Sequence, residues 1–307
     1  MSVEILVSGY ASVDESYHSS RLAGAAQTGV LTGPVRPEGR PGGCGPNTAR
    51  VLARLGMRAG VVTWLGDDPQ GRAFVTGLAE LGVDVAGVEI GPGPSPRSLL
   101  IYDPDGDAAC YFHPSGSARQ RVSAGVLDRL RDASWLAITV GAPELTEQLL
   151  AHRALGTRLA WNVKADAHAF PPVLCERLIH ADLVCLNHGE LAFLADALGM
   201  KPSAKPPDLL ARGARCVVLT RGASGYAVTT ADGTFEGRVE PVTADDPTGA
   251  GDAFFAGFLA AVLRGAAPLD AAAAGARAAR DFLMTRSTDR APEDAAAAHE
   301  PTAEART

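Results

Sequence analysis

Several features that mark large protein classes are scarce in this chain. Its 307 residues include only five cysteines, Cys44, Cys110, Cys175, Cys185 and Cys216, with no CxxC pair. Neither a metal site nor a disulfide framework is expected from that scatter. Cys185 sits in LVCLN and Cys216 in CVVL, where a free thiol behaves as a small hydrophobe. The five read as reduced core or near-core thiols of a cytoplasmic protein. Positive charge is also short: 28 Lys+Arg against 35 Asp+Glu leave a net charge of −7. That balance argues against nucleic acid or an anionic membrane as partner. No uninterrupted apolar run reaches the ~18 residues that suggest a bilayer span. The opening MSVEILVSGY lacks a basic segment and reads as a first strand, not a secretion signal. No internal repeat is visible.

What the chain does contain is an alternation of two periods. A length of 307 residues at 46% hydrophobic suits one large α/β domain with an appendage, or two modest domains. Short apolar runs at Ile5–Ser8, Gly60–Leu65, Trp135–Val140, Leu159–Asn162, Leu183–Leu186 and Val217–Thr220 predict strands. The last five are apolar throughout or nearly so, as strands covered on both faces are. Helical spacing predicts helices over Thr48–Leu55, Gly71–Leu81, Ala124–Leu130, Thr146–Ala154, Gly189–Leu198 and Ala253–Leu263. Such alternation implies right-handed crossovers and a doubly wound, mainly parallel sheet flanked by helices. Two segments break the pattern. Glu15–Arg40 is rich in Gly, Ser and Pro, and Ser98–His113 reads as a hairpin, LLIY and ACYF around DPDGD. Together they predict a small β-layer beside the main sheet, either a lid over a ligand crevice or a plain edge hairpin. The expected organisation is one domain over 1–290, with lid segments at about 10–40 and 96–115. A disordered tail is expected over 291–307, where APEDAAAAHEPTAEART has no apolar stripe.

The most informative stretch is Asp246–Leu263, DPTGAGDAFFAGFLAAVL. After Asp252, Phe254, Phe255, Phe258, Leu259, Val262 and Leu263 recur at helical spacing, and Arg264–Gly265 gives a stop. Gly249 and Gly251 therefore precede a buried helix, whose first amides and positive dipole end suit a phosphate or a phosphoryl transition state. A carboxylate at such a mouth repels phosphate, so Asp252 needs a reason to be there. General-base duty toward an attacking hydroxyl supplies one, and simple N-capping supplies another. Read alone, the segment leaves both open. No GxxxxGK[ST] is present, which excludes a Walker-type site. Phe254 stands where a dinucleotide fingerprint would place its third glycine.

Asp246-Pro247-Thr248-Gly249-Ala250-Gly251-Asp252 resembles the C-terminal signature of ribokinase-like (PfkB) kinases, usually D-T-x-G-A-G-D, with Pro247 in place of the commoner Thr. An independent match lies upstream in Gly42-Gly43-Cys44-Gly45-Pro46-Asn47, followed by TARVLARLG. There the glycines permit close backbone approach, while Pro46 and Asn47 are expected to open a helix. Asn47 can offer a donor and an acceptor to a polyol, or can cap that helix. GYASVD matches a strand, a Gly and then Asp14, and WLGDDPQGRAF looks like a structural G-D-D turn. Asn187-His188-Gly189-Glu190 resembles the family's N-x-x-E element, and Thr220-Arg221-Gly222-Ala223-Ser224-Gly225 resembles its T-x-G-x-x-G turn. Asn162 and Lys164 fit the D-x-N-x-R element in part. The resemblance runs from about Ile5 to Ala279, with every motif in order.

That resemblance implies an ATP-dependent phosphotransferase acting on a hydroxyl of a free sugar or nucleoside. Asp252 would be the base, and the amides of Gly249, Ala250, Gly251 and Asp252 the anion hole. Asp14, Gly42, Gly43 and Asn47 would hold the acceptor. Asn187, Thr220, Gly222, Gly225 and Lys164 would border ATP, and Glu190 would help organise Mg2+ through water. Asp246 and Thr248 match positions that help bind a monovalent cation such as K+ in some members. The next expected piece of that cation site and of the adenine end, DFLMTRSTDRAP, lacks the family's small-residue and glycine pattern. Cys44 stands where several sugar kinases carry Lys. Arg36, Arg40 and Arg97 are the candidates for a second phosphate, and no basic cluster is obvious. Tyr10, Tyr17, Tyr111 and Phe112 could stack a nucleobase or fill the lid. Lids in this family often mediate dimerisation, which implies a homodimer. Two rival readings are a phosphofructokinase-like sugar-phosphate kinase and a non-catalytic binding protein on the kinase fold.

Overall fold

Apolar runs without alternation need cover on both faces, and the molecule provides it by placing helices above and below one sheet. The computed structural model describes residues 2–104, 108–242 and 246–288, with the side chains of 34–38 and 286–288 outside the description. In chain order come β1 (Ile5–Ser8), β2 (Ser12–Ser19), β3 (Leu31–Gly42), α1 (Cys44–Arg54), β4 (Ala59–Gly66) and α2 (Pro69–Glu80). Next are β5 (Asp84–Gly91), β6 (Arg97–Tyr102), β7 (Ala108–His113), α3 (Ala124–Asp132), β8 (Trp135–Ile138) and α4 (Pro143–His152). Then follow β9 (Arg158–Asn162), α5 (Pro172–Leu178), β10 (Leu183–Asn187), α6 (His188–Ala197) and α7 (Pro206–Arg212). The chain closes with β11 (Val217–Thr220), β12 (Tyr226–Thr230), β13 (Gly233–Gly237), α8 (Ala250–Leu263) and α9 (Pro268–Thr288).

The main sheet runs β13-β12-β11-β10-β9-β8-β1-β4-β5, parallel from β5 to β11, with β12 and β13 added antiparallel at one edge. The period of two sorts β1 between two cores. Ile5 and Val7 pack with Leu52, Val61 and Phe255, whereas Leu6 packs with Val62, Trp161 and Phe170. α8 is buried from Asp252 to Ala260. Its close approach to α9 depends on small residues: a Cβ on Gly257 would lie 2.6 Å from that of Ala278.

The doubly wound sheet and the separate β-layer match the expectation, but three local readings change. The segment 15–40, expected in the β-layer without assigned strands, supplies two. Most of β2 and all but the last two residues of β3 lie in it, joined to β6 and β7 in a four-stranded sheet β3-β2-β6-β7. Ladder bonds from β6 to β2, and from β2 to β3, override its loop-like composition. α1 starts at Cys44, two residues before Pro46, because Gly43 adopts φ 95° as N-cap. A Cβ at Gly43 would sit 2.2 Å from the Tyr10 carbonyl oxygen. α8 starts at Ala250, so Asp252 lies inside the first turn. Gly106 of the lid hairpin and the tail from Ala291 lie outside the described residues.

Candidate active site

The loop before α8 brings a helix mouth to the carboxyl ends of the parallel strands, where ligands bind in open α/β sheets. Gly249 is the N-cap in the left-handed region (φ 87°). Capping by Asp252 is therefore not the explanation of that residue. Buried at 3% exposure, Asp252 accepts from two amides on separate elements. Asn47 Nδ2 of α1 donates to Oδ2 at 3.2 Å, and Asn162 Nδ2 of β9 donates to Oδ1, also at 3.2 Å. Asn47 thus does not cap α1. One member of the expected anion hole is otherwise engaged: Ala250 N–H donates to the Pro247 carbonyl at 3.1 Å. Gly251 is exposed at the mouth, and Lys164 Nζ lies 3.9 Å from where its Cβ would be.

Electrostatics tie these groups together. Lys164 Nζ lies 3.3 Å from Glu190 Oε1. Desolvation works against the Lys164 charge, but neighbouring anionic groups, Glu190 and Asp252 among them, outweigh it, and the ammonium is held above its ordinary range. Burial lifts the Glu190 carboxyl, with Lys164 pulling it back. Burial and the hydrogen-bonded Asp252 push the Cys44 thiol well up, so it stays protonated. Asn187 and Glu190 form a capping box on α6, Asn187 Oδ1 accepting Glu190 N–H at 2.9 Å and Glu190 Oε2 accepting Asn187 N–H at 2.8 Å.

At the other end, Asp14 is buried and accepts from Ser12 Oγ at 2.5 Å. Gly42 has to be glycine beside it, since a Cβ there would sit 1.8 Å from Asp14 Oδ2. Tyr10 and the lid residue Phe112 pair at 4.9 Å between ring centroids. Tyr111 is 62% exposed and shares the outer lid face with Leu99, its partner on β6. Cys110 is exposed, against the near-core expectation, because β7 is an edge strand of the lid.

Thr220, Gly222 and Gly225 line a separate cavity of about 290 Å³, shared with Ala250, Gly251 and residues of α9. Asn187 is not part of it. Asp246 and Thr248 are instead engaged by the lid: Tyr102 Oη donates to Asp246 Oδ1 at 2.6 Å and bonds Thr248 Oγ1, while Arg40 pairs with Asp246 Oδ2.

This arrangement coincides with a match to the model of the pfkB family carbohydrate kinases over residues 5–294. The chain belongs to the pfkB family. Membership makes it an ATP-dependent kinase for a carbohydrate or nucleoside acceptor. Among relatives of this pfkB kinase, a cytidine kinase of Thermococcus kodakarensis is 31% identical over 262 residues, covering 81% of this chain and 91% of the relative. A nucleoside kinase of Methanothermobacter thermautotrophicus is 26% identical over 266 residues, covering 86% and 84%. The fold is shared with the Burkholderia thailandensis nucleoside kinase solved with inosine, at TM-score 0.79, 21% identity and 90% coverage of each chain. Arabidopsis thaliana ribokinase, solved with ribose and ATP, superposes at TM-score 0.75 and 21% identity, covering 92% and 93%.

Sequence reasoning missed some of the kinase's site. Asn162 fits the D-x-N-x-R element in part, but nothing in the sequence pairs it with Asp252, 90 positions away. Tyr102 reads as part of an apolar hairpin. Val239, Val242 and Leu283 line the 290 Å³ cavity without any motif.

Proposed function

We propose that this kinase moves the γ-phosphoryl group of ATP to a hydroxyl of an unphosphorylated sugar or nucleoside. The observation that carries the reading is the buried Asp252 at the mouth of α8, both carboxylate oxygens oriented by Asn47 and Asn162. The acceptor lies by Asp14, Gly42 and Gly43, with its hydroxyl toward Asp252. Asp252 takes the hydroxyl proton as the acceptor oxygen bonds to the γ-phosphorus and the bond to the bridging oxygen breaks, releasing ADP. The amides around Gly251 and the Lys164 ammonium stabilise the charge on the transferring group. Mg2+ would neutralise the donor phosphates. Glu190 suits a water-mediated contact with it, since Lys164 and the Asn187 amide already engage its oxygens. Cytoplasmic ATP is the natural donor, bound in the cavity that Thr220, Gly222 and Gly225 border. Filling that cavity with Ala276→Phe is expected to raise KM for ATP about tenfold or more while leaving the acceptor KM within threefold. Steady-state kinetics check this, and equal effects on both constants would place ATP elsewhere.

Two features favour an unphosphorylated acceptor, and a nucleoside in particular. Arg40 is engaged with Asp246 and Arg97 with Glu15, the latter at 2.6 Å, so neither guanidinium is held ready for a second phosphate. The Tyr10–Phe112 pair offers aromatic faces where a base would enter. The test is a thermal-shift screen of sugars, nucleosides and sugar phosphates with Mg·ATP analogue, followed by ADP release for each hit. Stabilisation by free nucleosides, with turnover lost in Asp252→Asn, supports the reading. Stabilisation by sugar phosphates alone would favour a phosphofructokinase-like enzyme, and binding without turnover a binding protein on this fold.

The outer lid face, with Tyr111, Leu99 and Leu31 exposed, is the natural contact of a homodimer. Tyr111→Glu is expected to shift sedimentation from dimer to monomer, and an unchanged dimer would move the contact off the lid.

A further inference from the structure

The polar cluster that joins the lid to the loop before α8 has its own chemistry. Asp246 is buried at 7% exposure, and a buried carboxylate requires donors and positive charge around it. Its Oδ1 accepts both the Tyr102 hydroxyl at 2.6 Å and Thr248 N–H at 2.9 Å, and its Oδ2 faces the Arg40 guanidinium. Tyr102 ends β6 and Arg40 lies near the end of β3, so both partners come from the lid. Arg40 is also paired across the ladder with Asp14, at the acceptor end. A monovalent cation does not fit this arrangement. The carboxylate is already neutralised, and α9 stays helical through Thr288, so the carbonyls of 281–284, at the start of the stretch that would supply further ligands, are bonded along the helix.

We propose that Arg40 and Tyr102 are positioning residues through which the closed lid fixes the Asp246–Thr248 turn and hence the anion hole. Arg40 serves as a built-in cation, and the kinase needs no K+. Without Arg40, the Asp246 charge would stand beside an incoming phosphoryl group and weaken the helix mouth meant to bind it. The proposal rests on the kinase reading above, and its first tests involve no turnover.

Hydrogen exchange of the full-length protein with Mg·ATP analogue is compared for wild type, Arg40→Gln and Tyr102→Phe. Both variants are expected to speed exchange at 97–102 and at 246–252 together, by about fivefold or more. Faster exchange confined to the lid strands would overturn the coupling. The melting temperature of the wild type is then measured in KCl and in tetramethylammonium chloride at equal ionic strength. Equal values are expected, and stabilisation specific to K+ would overturn the built-in cation. For turnover with cytidine or ribose as acceptor probe, Arg40→Gln is expected to lower kcat about tenfold with KM for ATP within threefold, and Arg40→Lys to restore part of it. A rise only in KM for a sugar phosphate would overturn the proposal by making Arg40 a substrate contact. Failure of the underlying reading is a separate result, seen as normal turnover in Asp252→Asn with the exchange coupling intact.

Discussion

Replacing Asp252 with Asn is expected to lower kcat by about two orders of magnitude or more. The change is nearly isosteric, so shape is kept and only the ability to take a proton is removed. Each carboxylate oxygen now accepts an amide N–H, from Asn47 and from Asn162, at 3.2 Å each. In the variant one of those oxygens becomes an NH2 group facing a donor, a mismatch worth about 1–3 kcal/mol unless a neighbouring amide turns over. The melting temperature should therefore fall modestly while circular dichroism stays unchanged. Turnover of near-normal rate would remove Asp252 as base, and a collapse of the fold would make the carboxylate structural. Single-turnover kinetics with saturating Mg·ATP isolate the chemical step from product release.

Gly249→Ala is expected to cost about ten- to a hundredfold in kcat, for a geometric reason. Gly249 holds φ 87° as the N-cap of α8, a region that costs an L-residue about 1–2 kcal/mol. Its new Cβ would also lie 2.9 Å from the Phe282 ring and 3.2 Å from Asn47 Nδ2. Relief has to come from moving the ring of α9 or pushing Asn47 off Asp252, and either one disturbs the helix mouth. Gly251→Ala is the control. Among the described residues its Cβ would meet only Lys164 Nζ, at 3.9 Å, with no left-handed backbone, so the fold should be unaffected. Adding Phe282→Ala to Gly249→Ala should recover part of the lost rate if the ring is the obstacle. Equal losses from both glycine variants would mean that ligand approach, not backbone conformation, sets the requirement.

The two glycines show where legibility stopped. In GAGD they look alike, and only the coordinates separate a conformational requirement from a mere absence of side chain. The broad plan was readable because each central strand is an uninterrupted apolar run, which forces cover on both faces. Asp252 was readable because a carboxylate at a glycine-flanked helix mouth requires a chemical reason. The small β-layer was expected, but β2 and β3 were not readable as strands, since their residues favour loops and β3 pairs only with β2, which in turn pairs with β6 some 80 positions away.

Amino-acid order by itself determined the layered α/β plan, the family membership carried by ordered motifs, and the placement of a carboxylate, Asp252, in the first turn of a buried helix behind a glycine-rich approach. These properties are local: periodicity, glycine placement and charge act over a few residues. Tertiary structure alone decided that Asn162 and Asn47 share Asp252, that Ala250 spends its amide on Pro247, and that Arg40 and Tyr102 occupy Asp246 where a cation was expected. Most of those contacts join residues 90 to 206 positions apart. Their partners are chosen by how the sheet, lid and helices pack, and no local pattern in the chain encodes that choice.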